Sequence, residues 1–95
     1  MMSNTTWALI ANPVSGSFDA RILNQLATRL AQQGYLCELY LPSSLAQLQA
    51  QVNHLLDEGD DRFIIAGGDG TLSQVVNVIA QKDALSRVQV ALYPM

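Results

Sequence analysis

The nine residues from Phe63 to Thr71, Phe-Ile-Ile-Ala-Gly-Gly-Asp-Gly-Thr, restrict the fold more than any other part of the chain. Phe63, Ile64, Ile65 and Ala66 form a continuous apolar run, the pattern of a strand covered on both faces. Gly67, Gly68 and Gly70 follow, and each lacks the side chain that would hold a ligand away from the backbone. Beyond Thr71, the residues Leu72, Val75, Val76 and Ile79 recur at helical spacing, so the glycine loop opens directly onto a helix N-terminus. Such a terminus presents unpaired N–H groups and partial positive charge, which suit a phosphate.

The remaining chain supplies matching units. Trp7 to Ala11 reads as a first strand, stopped by Asn12-Pro13, because proline restricts the residue before it. Ser15-Gly16-Ser17 makes a small polar loop. Asp19 is a candidate N-cap for a helix with Ile22, Leu23, Leu26, Ala27 and Leu30 on one face, and Gly34 is placed to end it. Tyr35 to Leu41 reads as a second strand closed by Pro42. Ser43 or Ser44 then caps a helix striped by Leu45, Leu48, Val52, Leu55 and Leu56, with Gly59 at its end. The third helix runs to about Lys82, and Val88, Val90, Ala91 and Leu92 form a last apolar run halted at Pro94.

Strands alternating with helices predict an α/β fold, a three-layer α/β/α arrangement with a parallel, Rossmann-like sheet and right-handed crossovers. Ligands in such sheets sit beyond the carboxyl ends of the strands, which puts the Asn12 loop, the Pro42 to Ser44 turn and the Gly67 to Thr71 loop on one rim. The sequence stops at Met95 directly after a strand. It is therefore expected to be the front part of a longer protein, with an exposed last strand and self-association of the fragment.

Composition narrows the partners. The chain has 95 residues, 49% of them hydrophobic, enough for one small domain with a core. Charged residues are only 14% and the net charge is −3, which gives no general attraction to nucleic acid or anionic lipid. No stretch approaches the roughly 20 apolar residues of a membrane span. The single cysteine, Cys37, reads as a small buried hydrophobe without an internal disulfide partner. A cytoplasmic location is expected, with peripheral access to a membrane for a lipid substrate. His54 has no metal-binding partner at helical spacing and reads as a surface residue, while Trp7, Tyr35 and Tyr40 read as core or sheet-face aromatics.

The loop is not a Walker A motif, since no Gly-Lys-Ser/Thr follows it. It is also a poor dinucleotide fingerprint, because Ser73 occupies the third glycine position and no acidic residue follows at about 20 positions to bind a ribose. Asp69 within a phosphate loop would repel its ligand unless a divalent cation bridges the two, which brings Mg²⁺ into the reading. Taken alone, Asp69 is also an ordinary helix cap and Asn12 an ordinary turn former. Ser73, Gln74 and Asn77 share one side of the helix, which a solvated face would also explain.

Gly67-Gly68-Asp69-Gly70-Thr71, with Asn12-Pro13-Val14-Ser15-Gly16 about 50 residues upstream and Asn77 six residues after Thr71, resembles the diacylglycerol kinase catalytic-domain family of lipid kinases. The glycine loop alone is shared with NAD kinases and phosphofructokinases, and the upstream loop favours the lipid branch. The resemblance implies transfer of the γ-phosphate of Mg-ATP to a lipid hydroxyl such as that of diacylglycerol. The lipid acceptor would be held through a C-terminal β-rich domain absent from this sequence, beyond a Gly-Thr-x-Asn-Asp loop that would begin just after Met95. By the same resemblance Gly68, Asp69, Gly70, Thr71, Leu72, Ser73 and Gln74 line the nucleotide phosphates, Asn12 faces the same pocket and Asp69 takes the metal. Pro42 or Ser43 stands where the family carries a threonine. Gln74 and Val78 replace the family's usual glutamate and glycine, so Gln74 keeps hydrogen bonding but loses a charge. The other readings are a kinase of a soluble acceptor such as NAD and a nucleotide-binding module without chemistry.

Overall fold

The structure is a computed structural model that describes residues 6–13 and 18–94. Four strands, β1 (Trp7–Ala11), β2 (Cys37–Tyr40), β3 (Arg62–Ala66) and β4 (Gln89–Tyr93), alternate with three helices, α1 (Ala20–Gln32), α2 (Leu45–Asp57) and α3 (Asp69–Gln81). A single 3₁₀ turn, Leu85–Arg87, precedes β4. The strands form one all-parallel sheet in the order β2-β1-β3-β4, as the alternation of elements predicts.

From Ala8 to Ala11 and from Phe63 to Ala66 the two central strands are apolar because they are covered on both sides. Ala8 and Ile10 of β1 join Phe63 and Ile65 of β3 against Leu48, Val52, Leu55 and Leu56 of α2 and Val75, Val78 and Ile79 of α3. The alternate residues, Leu9, Ala11, Ile64 and Ala66, pack against Leu23 and Leu26 of α1. In-register pairing of Ala8 with Phe63 through Ala11 with Ala66 keeps the two sets on opposite faces, as the period of two requires. Among the described residues α1 is the one helix on its face, where Ala91 of β4 is exposed; Val90 and Leu92, which pair with Phe63 and Ile65 on the opposite face, keep 37% and 40% of their surface, so β4 is partly open on both faces.

All three helices have 13 residues and end in the same way. The N–H of Gly34 reaches Ala31 O and that of Tyr35 reaches Leu30 O; Gly59 and Asp60 repeat the pattern on Leu56 and Leu55. Asp83 and Ala84 repeat it on Ala80 and Ile79. These are Schellman closures, which need a left-handed residue just past the cap. Gly34 and Gly59 both have φ +92, and Asp83 has φ +54.

The sequence pattern misplaces several residues. Strand β2 begins only at Cys37, because Tyr35 is used in the closure of α1 and is 47% exposed, not sheet-covered. Ile22 and Leu45 lie in the first turns of α1 and α2 and remain 39% and 50% exposed, whereas Val78 joins the core.

Candidate active site at the carboxyl rim

Strand order decides where the site lies. The chain leaves β1 on the α1 face and returns as β2 on one side, then crosses β1 on the other face to reach β3. The loops after β1 and β3 thus turn to opposite faces, and such a reversal point is where open α/β sheets bind ligands. Asn12 follows β1 and is half-buried. Val14, Ser15 and Gly16 of the upstream motif, with Ser17 after it, lie outside the described residues.

After β3, Gly67 is buried, its φ is +154, and its N–H donates to Tyr93 O at 3.0 Å. A Cβ built at Gly67 would contact Thr71 Oγ1 at 3.7 Å. Gly68 and Gly70 differ. Neither has a positive φ, and a Cβ at either would meet nothing within 4 Å. Gly68 is the N-cap residue of α3, so Asp69 is its first helical residue and is not the cap. The helix's first backbone bond runs from Leu72 N–H to Gly68 O at 3.3 Å. Ahead of it lie the N–H groups of Asp69, Gly70 and Thr71, positions a helix leaves without internal acceptors.

Among the described residues no side chain caps α3. The other two helices are capped: Asp19 accepts from Arg21 N at 2.9 Å, and Ser44 accepts from Gln47 N at 3.1 Å. Gln47 in turn reaches back, its Oε1 accepting from Ser43 N at 2.8 Å and Ser43 Oγ at 3.0 Å. Ser43, the residue before the cap, is thus tied to the first turn of α2 in a variant of the capping box, on the same rim as Asn12 and one strand further from β3.

The remaining residues fall on α3. Leu72 packs its side chain against the core on the α2 side, which leaves only backbone near the rim. Ser73, Gln74 and Asn77 are exposed on the outer face, and Thr71 is half-buried beside Gly67. Asp69 is exposed at the helix start. Among the described residues no group of three or more His, Cys, Asp and Glu could hold a metal ion. A magnesium ion at Asp69 would thus take one carboxylate from this region and its other ligands from phosphate and water, an arrangement magnesium commonly adopts.

Tyr40 ends β2 near the rim and donates its hydroxyl to Glu38 Oε2 at 2.9 Å. Burial, then the Glu38 hydrogen bond and the charges of Glu38 and Asp60, push its pKa up to about 12, so it stays protonated and cannot serve as a base near neutral pH. Sequence pattern alone misses this pair, since Glu38 and Tyr40 meet only because alternate strand residues share a face. Among the described residues no helix is long and apolar enough to cross a membrane.

A family profile described as the diacylglycerol kinase catalytic domain matches residues 6–95. Two Staphylococcus aureus proteins named diacylglycerol kinase, from strains JH9 and Newman, are each 34% identical to the chain over 88 residues. The match covers 92% of this chain and 27% of each relative, so the chain spans about a quarter of the length of the curated relatives it matches.

Proposed function

Because the chain belongs to the diacylglycerol kinase catalytic-domain family, we propose that it binds the nucleotide in a kinase that phosphorylates a lipid hydroxyl such as that of diacylglycerol. The observation that carries this reading is the start of α3 at the reversal point of the sheet, where no described side chain caps the helix and where Gly68 and Gly70 have empty side-chain space. The N–H groups of Gly68, Gly70 and Thr71 bind the phosphates of ATP, and the positive end of α3 adds to their attraction. Asn12 and Ser43 approach the same nucleotide from the ends of β1 and β2, and Ser73 and Gln74 border it along α3. Asp69 would hold Mg²⁺, which would supply neutralisation of phosphate charge.

In the reaction the lipid oxygen bonds to the γ-phosphorus, the bond from that phosphorus to the β–γ bridging oxygen breaks, and ADP leaves. The hydroxyl proton passes to a base. Phosphoryl transfer needs mostly positioning and charge stabilisation from a protein, which fits a site built of backbone N–H groups. The binding site for the acceptor and the base belong, in this proposal, to the length that the relatives have beyond the matched region.

The test pairs calorimetric binding of Mg-ATP to the chain with transfer of labelled phosphate, by a protein carrying this domain at the relatives' length, to dispersed diacylglycerol and to NAD. Binding, with transfer to diacylglycerol, is expected. Transfer only to NAD would replace the lipid by a soluble acceptor, and binding without any transfer would make the domain a non-catalytic nucleotide module. Absence of Mg-ATP binding would overturn the proposal.

A further inference from the structure

We draw no further inference here: the strongest candidate, the apolar groove of about 230 Å³ on the α1 side of the sheet lined by Trp7, Leu30, Tyr35, Ile64 and Ala91, carries nothing because nothing in the structure shows what covers it.

Discussion

Of the three glycines that follow β3, the fold requires one. Gly67 has a backbone setting that side chains rarely adopt, whereas Gly68 and Gly70 have ordinary backbone and open space where a Cβ would stand. Gly70 is even costly, since glycine within a helix loses roughly 0.5–1 kcal/mol relative to alanine. A residue that weakens its own helix without an internal reason suits close approach of a ligand. Gly70→Ala should therefore leave stability unchanged or raise it by up to about 1 kcal/mol while weakening ATP binding at least tenfold. Urea unfolding and calorimetry on the same preparation measure both, and unimpaired binding would remove Gly70 from the phosphate contact. Asp69 makes the complementary case. As first residue of α3 its charge gains a few tenths to about 1 kcal/mol from the helix dipole, so Asp69→Asn should unfold only slightly more easily. If the carboxylate shares a metal with the phosphates, its loss costs several kcal/mol in the transition state, on the order of a thousandfold in transfer rate. Kinase rate and thermal unfolding, compared while Mg²⁺ is titrated, separate the two. Near-normal transfer by the variant would reduce Asp69 to a helix-start charge.

At the scale of elements, each helix has a legible start or end, though not always both. Gly34 and Gly59 mark the ends of α1 and α2 in sequence because glycine is the usual left-handed residue past a helix. The third end is hidden: Asp83 makes the same closure at φ +54, where a side chain is crowded, and nothing in its neighbours' pattern announces it. Asp83→Gly should relieve that crowding and stabilise the chain by roughly 0.5–1 kcal/mol. The midpoint of urea unfolding should rise with its slope unchanged, and a lowered midpoint would mean that the Asp83 side chain contributes more than its backbone strain costs. Helix starts misled the pattern for a different reason. Ile22 and Leu45 continue an apolar stripe by spacing, but the first turn of each helix lies at the margin of the sheet, so spacing alone overstates burial. Strand β2 is shorter than its apolar run because Tyr35 N–H is committed to Leu30 O before pairing with β1 begins.

For the molecule as a whole, the parallel sheet was legible because β1 and β3 are apolar at every position from Ala8 to Ala11 and from Phe63 to Ala66, which only two covered faces permit. The order β2-β1-β3-β4 was not, since no local pattern records which neighbour a strand takes; the order is what sets the Asn12 and Gly67 loops side by side at the carboxyl ends of adjacent strands. The fold also divides the chain's backbone groups between its two ends. At one end three helices close on themselves through Gly34, Gly59 and Asp83, consuming their carbonyls internally. At the other, α1 and α2 are closed by Asp19 and Ser44, and α3 begins without a side-chain cap among the described residues. Strands of five residues separate these ends by roughly 16 Å, far enough for amide signals to distinguish them. Mg-ATP added to the isotope-labelled chain should shift the amide resonances of Gly68, Gly70 and Thr71 most, those of Asn12 and Ser43 next, and leave Gly34, Gly59 and Asp83 in place. Omitting Mg²⁺ should shrink the change at Asp69 and Gly70 before it shrinks the change at Asn12, because a cation at Asp69 acts on the start of α3. Shifts centred on Gly34 and Gly59 would put the nucleotide at the wrong end of the sheet, and shifts spread evenly over both ends would mean that ATP perturbs the fold without occupying the carboxyl rim.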